Sequence, residues 1–369
     1  MKNPKLGQTP LAALADTRSF TAEDLAFGTS ATLRLRPETV AMLAEDWSVT
    51  TVEELYSLTV AIDPVRLRAV LGEGLIKTGS APLADDLRRK LSPETLRRFE
   101  EVSKLRFAFG ARLKWSESAP VKTAGLALRE SAGPAVAPEV SLLNGCMPPV
   151  RNQQDRGTCV AFATCAVMEY AFCRQRGLRL DLAEQWQYWN CKQHDGEPQD
   201  PGTQPHISFY LAARDGVCEE TVWPYNPREI PGNEGHAPPS SFVQTAPRHR
   251  ATRFTELPAP RDVSALRQRI ANDQPVAFAI PVFNSWEQDK ATRLTGNIRM
   301  PWDTPEPLGH AMVMVGYADH PDFAGGGYFI IRNSWGQDWG SQSSFGAGYG
   351  TIPYSFVEQY NYSAFVVEI

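Results

Sequence analysis

The chain of 369 residues has no unbroken apolar run of the roughly 18–20 residues that a membrane-spanning helix needs. Its first residues, Met1-Lys2-Asn3-Pro4-Lys5, are positively charged, but Asp16, Arg18 and Glu23 break up the stretch behind them. No secretory leader is therefore expected. Positive charge is not in excess either: 37 Lys plus Arg face 42 Asp plus Glu, for a net charge of −5 with the signs mixed. A nucleic-acid partner needs a basic footprint, and none is present. There is no C-x-x-C pair and the six histidines are scattered, so no zinc or other metal site and no cofactor is expected. The expected location is the cytoplasm of the producing cell, or export without a classical signal peptide.

What is present divides the chain in two, in keeping with its length and with a hydrophobic content of 42%, enough for a packed core. Residues 1–35 read as an N-terminal arm. Residues 36–110 carry helical signals. Arg36-Pro37-Glu38 places Pro in a first turn, and Thr50 through Glu53 reads as a capping box ahead of Val52, Leu55 and Tyr56. Asp63-Pro64 opens a helix that turns Leu67, Val70 and Leu71 inward. Ser92-Pro93-Glu94 opens another, with Leu96, Phe99, Val102 and Leu105 at helical spacing. Residues 111–137 are rich in Ala, Ser, Pro and Gly and read as a linker. Residues 138–369 form the second part. Its first half is helical in pattern, and strand runs follow at Val276–Ile280, Ala311–Tyr317, Tyr328–Arg332 and Ser363–Glu368. The fold class expected is α+β.

Three blocks in that second part carry chemistry. The first runs Pro149-Val150-Arg151-Asn152-Gln153-Gln154-Asp155-Arg156-Gly157-Thr158-Cys159-Val160-Ala161-Phe162. It is a polar loop that leads into an apolar helical run, with Cys159 in the first turn. The positive end of the helix dipole favours a thiolate there. Taken alone, a cysteine in such a place is more often a small buried hydrophobe. The second block, Leu308-Gly309-His310-Ala311 and onward to Tyr317, sets a His at the head of a β-prone run. The third, Arg332-Asn333-Ser334-Trp335-Gly336-Gln337-Asp338-Trp339-Gly340, ends another strand run. Adjacent strands bring His310 and Asn333 side by side.

In these blocks the sequence resembles the papain-like cysteine proteases. His310 follows Cys159 by about 150 residues, the usual order of that family. Weaker likenesses lie at Leu182-Ala183-Glu184-Gln185 and Trp223-Pro224-Tyr225, and Pro138-Glu139-Val140-Ser141-Leu142 resembles the start of the mature enzymes. The resemblance covers roughly Pro138 to the end and not the first third. It implies a helical lobe and a β-barrel-like lobe with a cleft between them, and a peptide or protein substrate. It further implies Cys159 as nucleophile, His310 as its base and then acid, and Asn333 as orienter of the imidazole. Gln153 would be an oxyanion donor, with Gln154 as the neighbouring candidate, and Trp335 would shield the His–Asn hydrogen bond.

Three departures stand out. Val160 replaces the Trp usual beside the nucleophile. The Gly-Gly stretch that pairs with extended substrates is not recognisable near Asp200-Pro201-Gly202-Thr203. Arg156 occupies the position of a cysteine that the oxidised members bond to that stretch. Cys165 and Cys173 lie two turns apart on one helix and cannot bridge, while Cys146, Cys191 and Cys218 remain open as partners. The reading is free thiols and a reducing compartment.

Three functions follow. One is a thiol endopeptidase, a zymogen whose N-terminal module inhibits it intramolecularly. Another is a thiol peptidase or acyltransferase dedicated to one partner, with the module as docking domain. The third is a protease-fold binding protein without turnover, against which the intact Cys, His, Asn and Gln set argues.

Overall fold

Leucines at helical spacing build the N-terminal module. The computed structural model describes residues 10–15, 33–62, 64–72, 75–77, 82–113, 136–283, 286 and 289–369. Most of the N-terminal arm and of the linker lies outside these residues. The module contains helices α1 (Pro37–Trp47), α2 (Val52–Ala61), α3 (Pro64–Leu71), α4 (Leu83–Arg88) and α5 (Pro93–Val102). A short antiparallel ribbon of β1 (Leu33–Leu35) and β2 (Leu75–Lys77) joins them. The capping box falls one residue later than the sequence reading placed it. Thr51 Oγ1 accepts from Glu54 N at 3.2 Å, and Glu54 Oε2 accepts from Thr51 N at 3.1 Å. Thr50 and Thr51 are both good caps, and the register of the apolar face on Leu55 and Leu58 decides between them. Leu43, Val52, Leu55, Leu58, Leu87, Phe99 and Val102 are buried, and Ala291, Leu294 and Trp302 of the second part complete the same core.

The second part is built on α6 (Cys159–Arg176), followed by α7 (Glu184–His194), α8 (Pro205–Arg214) and the short α9 (Ser241–Thr245). Every residue of α6 from Cys159 to Cys173 is buried, which explains its run of Ala, Val, Phe and Cys. Gly177 ends it in the left-handed conformation, φ 69°. Beyond lies a seven-stranded antiparallel sheet. Its strands are β3 (Glu139–Ser141), β4 (Arg253–Glu256), β5 (Val276–Phe283), β6 (Pro305–Asp319), β7 (Gly327–Arg332), β8 (Tyr349–Pro353) and β9 (Ser363–Glu368). They run in the order β4-β9-β5-β6-β7-β8, with β3 on β6. Both faces of β5 are covered, by α6 on one side and by α10 (Val263–Ala271) and α12 (Tyr354–Tyr360) on the other, so every residue of the strand is buried.

Cys146 and Cys173 form a disulfide, with a Cα–Cα distance of 5.5 Å. This corrects the expectation that all the thiols are free. The chain turns back at Asn144 so that Cys146 meets the last turn of α6, a proximity that spacing along the sequence does not reveal. Cys159, Cys165, Cys191 and Cys218 are free and buried. No helix among the described residues is long and apolar enough to cross a membrane.

Candidate active site

The loop before α6 is fastened on both sides. Arg151 donates to Glu184 Oε1 at 2.7 Å and to Glu169 Oε1 at 3.0 Å, which ties the loop to α7 and α6. Gln153 N donates to Ser334 O at 2.8 Å and Gly336 N to Arg151 O at 3.0 Å, which ties it to the turn after β7. Cys159 opens α6 behind Thr158 and is wholly buried.

His310 lies on β6, and Asn333 follows β7, the antiparallel neighbour of β6. Asn333 Oδ1 sits 2.7 Å from His310 Nε2, and the same oxygen accepts from Ser334 N at 2.8 Å. Accepting twice fixes Asn333 Oδ1 as the acceptor and leaves the proton of the imidazole on Nε2. His310 Nδ1 is buried with no hydrogen-bond partner among the described residues. Trp335 stacks on the imidazole at 4.3 Å between ring centroids and 24° between planes, closing one face of the His310–Asn333 pair to water. Trp286, a residue the sequence reading missed, adds a tilted contact to His310 at 5.9 Å.

Gln153 is wholly buried, whereas Gln154 is exposed with φ 52°. Ser334 Oγ donates to Gln153 Oε1 at 2.6 Å, so the amide N–H groups point the other way. They donate to Arg156 O at 2.8 Å and to Ala108 O at 3.0 Å. Ser334 therefore orients the amide. It lies inside the Asn-Ser-Trp-Gly block, and that adjacency was its only signal in the sequence.

Ala108 belongs to a strap, residues 107–113, that leaves the module and lies across these groups. Trp335 Nε1 also donates to Ala108 O, at 3.1 Å. Phe107 stacks on Trp335 at 4.5 Å, and Phe109 meets His310 edge-on at 6.0 Å. Farther along, Ala111 N donates to Gly309 O at 3.0 Å and Gly309 N to Ala111 O at 2.8 Å. On the opposite wall Thr203 N donates to Gly110 O and Arg112 N to Thr203 O, both at 2.9 Å. The Gly-Gly stretch is unrecognisable in the sequence, yet this edge pairs with the strap. Backbone groups make these bonds, so Gly202-Thr203 serves with no recognisable motif.

Burial sets the charge state of the site. Burial pushes the Cys159 thiol up to about 11, although backbone N–H groups of Ala311, Gly110, Val160 and Ala111 pull it down. Burial pushes the His310 imidazole down to about 4, against the opposing hydrogen bond to Asn333. Under the strap both groups are neutral near pH 7. The arrangement is an uncharged thiol, an imidazole bonded to Asn333, and a Gln153 amide whose N–H groups are engaged by the carbonyls of Arg156 and Ala108.

The sequence model of the papain family cysteine proteases matches residues 140–359. Pro-cathepsin H of Mus musculus is 28% identical over 198 residues, covering 53% of this chain and 55% of its own. Peptidase 1 of Euroglyphus maynei is 31% identical over 215 residues, covering 58% of this chain and 61% of its own. Among solved structures, xylellain, a cysteine protease from Xylella fastidiosa, aligns with a TM-score of 0.54 and 25% identity. That alignment covers 63% of this chain and 87% of xylellain. The chain spans about half the length of the curated relatives it matches, 55% of pro-cathepsin H among them.

Proposed function

We propose, because the chain belongs to the papain family of cysteine proteases, that it is a thiol endopeptidase held inactive by its own N-terminal module. Residues 36–110 act as the regulatory module and residues 138–369 as the protease. Once the strap is displaced, His310 Nδ1 takes the proton of Cys159, and the thiolate attacks the substrate carbonyl carbon. Gln153 Nε2 and the Cys159 backbone N–H stabilise the oxyanion as the C–N bond prepares to break. The imidazolium gives its proton to the leaving amine, and water then releases the acyl group from Cys159 with His310 again as base. Asn333 keeps the imidazole in the required tautomer throughout, and Trp335 keeps water from that hydrogen bond.

The pairing of strap residues 110–112 with Gly309 and Thr203 carries this reading, because it is how an extended peptide would lie in the cleft. The strap itself is a poor substrate. Its Gly110 and Ala111 N–H groups are bonded to Gly309 O, and the carbonyl at Gln153 belongs to Ala108, two residues earlier. The test compares small fluorogenic peptides as substrates of the full chain and of a chain beginning near Pro138. The shorter chain is expected to be faster, the separate module to slow it, and Cys159→Ala to abolish turnover. Equal rates in the two chains would remove the regulatory role, and persistent turnover in Cys159→Ala would remove the mechanism.

A further inference from the structure

Three residues before Cys159, an arginine is buried to 1% exposure. Arg156 Nη1 donates to Gln185 Oε1 at 2.8 Å and to Asn226 O at 2.5 Å, and Nη2 donates to Glu234 O at 2.6 Å. Its guanidinium lies 5.2 Å from the ring centre of Tyr188 and 5.4 Å from that of Tyr225. A full charge taken from water is a weak source of stability, even when it is well bonded. What the guanidinium supplies is a rigid planar fork that joins groups from several segments at once.

The two tyrosines carry that junction to two neighbouring segments, the loop before α6 and the Gly202-Thr203 edge. Tyr225 OH donates to Gln153 O at 2.8 Å and is paired with Thr158 Oγ1 at 2.8 Å, so it grips the nucleophile loop at both ends. Tyr188 OH accepts from Gly202 N at 2.9 Å. One turn along α7, Lys192, also 1% exposed, donates to Gly202 O at 2.9 Å and to Asp195 Oδ2 at 2.7 Å. Gly202 is thus held through both its N–H and its carbonyl, and the next residue is Thr203, the edge on which the strap pairs.

We propose that Arg156, with Tyr188, Lys192 and Tyr225, is a positioning brace that fixes the nucleophile loop relative to the substrate-pairing edge. The inference rests on the peptidase reading. It assigns the arms separate duties. The Tyr225 arm holds the loop of Gln153 and Cys159, and so governs the rate of the chemical step. The Tyr188–Lys192 arm holds Gly202-Thr203, and so governs the binding of an extended peptide. A purely structural role has no reason to divide in this way.

The experiment uses the full chain carrying Gly110→Ala, in which the strap cannot seat. Labelling of Cys159 by an epoxysuccinyl peptide probe, followed by mass spectrometry, yields a maximal rate and a half-saturation concentration. Tyr225→Phe, which loses both of the hydroxyl's hydrogen bonds, is expected to lower the maximal rate about tenfold or more, with half-saturation within about threefold of the parent. Tyr188→Phe is expected to raise half-saturation about tenfold with the maximal rate within about threefold. Arg156→Met should impair both, and Arg156→Lys, which keeps the charge and loses the fork, should not restore them. The brace is overturned if both Tyr→Phe variants leave both constants within about threefold of the parent. It is equally overturned if they change only the labelled fraction, the mark of partial unfolding. A parent chain that is never labelled would overturn the peptidase reading, and this inference with it.

Discussion

Gly110 of the strap and Gly157 of the nucleophile loop meet backbone to backbone: a β-carbon on Gly110 would lie 1.9 Å from the Gly157 carbonyl oxygen. No side chain has room there. Gly110→Ala should therefore unseat the strap while leaving every group of the site in place. The full chain with this change is expected to hydrolyse small peptides at least about tenfold faster, since displacing a bound segment by 1.4 kcal/mol or more shifts its equilibrium by that factor. An unchanged rate would mean that the strap does not limit access, and would favour the module as a docking domain.

The oxyanion donor can be tested through the residue that aims it. Gln153→Ala should lower kcat by about a hundred- to thousandfold, the usual cost of one such donor. Ser334→Ala removes only the 2.6 Å hydrogen bond that fixes the amide orientation. A net hydrogen bond contributes about 1 kcal/mol, so a loss of about fivefold is expected. Steady-state kinetics on the Gly110→Ala background would check both. A Ser334→Ala variant as impaired as Gln153→Ala would mean that the serine does more than orient the amide.

What the sequence revealed and what it hid differ in physical kind. That His310 and Asn333 lie side by side was legible because each sits at the end of one of two adjacent strand runs. The strands at Val276–Phe283 and Gly327–Arg332 were legible from β-branched and aromatic runs. Thr203 was not, because its contribution is backbone, and an N–H or C=O leaves no trace in residue type. The strap was equally hidden: Phe107, Ala108 and Phe109 fell within the helical signals of residues 36–110, and they gain meaning only from the Trp335 and His310 rings they cover. Arg156 was seen only as a departure. Its role depends on Asn226 and Glu234 carbonyls 70 and 78 residues away.

Acid should loosen the strap. Burial holds His310 down at about 4 while it is covered, against an ordinary value near 6.5. Uncovering returns water to the ring, so the uncovered form binds more protons between about pH 4 and pH 6.5. Falling pH therefore favours uncovering across that window, by at most about tenfold per unit. Above about pH 6.5 this group no longer matters. Cys159 acts with the opposite sign in the alkaline range: its thiol is raised from 9.0 to about 11, so the covered form loses ground only above about pH 9. The amides of Gly110 and Ala111, bonded to Gly309 O at 3.2 and 3.0 Å, report the equilibrium directly. Their hydrogen exchange, corrected for intrinsic rate, should show greater protection at pH 7.5 than at pH 5. Equal protection would separate His310 from the strap.

Thiol counting checks the cross-link between the turn at Asn144 and α6. Denaturing alkylation without reduction should modify Cys159, Cys165, Cys191 and Cys218 and leave Cys146 and Cys173 unmodified, and prior reduction should add these two. Modification of all six without reduction would show that the 146–173 pair is not bonded in the isolated protein, and would return the chain to a reducing environment.

The seam between module and protease turns on Asp289, which is 1% exposed. Its Oδ1 accepts from Ala291 N at 3.0 Å and Thr292 N at 3.2 Å, capping α11 (Lys290–Thr295). The same oxygen accepts from Ser57 Oγ of the module at 2.6 Å. Oδ2 accepts from Thr292 Oγ1 at 2.9 Å and from the buried guanidinium of Arg299. Asp289→Ala removes a helix cap and leaves Arg299 buried without its carboxylate, a change that costs about 3–5 kcal/mol. Ser57→Ala removes the two hydrogen bonds that Ser57 Oγ makes across the seam, to Asp289 Oδ1 and from Ala291 N at 3.3 Å, at about 1 kcal/mol each. The two should diverge in function as well as in stability. Ser57→Ala leaves the protease intact and weakens its hold on the module, so small-peptide hydrolysis by the full chain should rise about fivefold or more with little change in Tm. Asp289→Ala should lower Tm sharply and activity with it, because α11 and Arg299 belong to the protease itself. Thermal denaturation and peptidase rates on the two variants decide the matter. A Ser57→Ala rate no higher than that of the parent would show that this contact does not help to seat the strap.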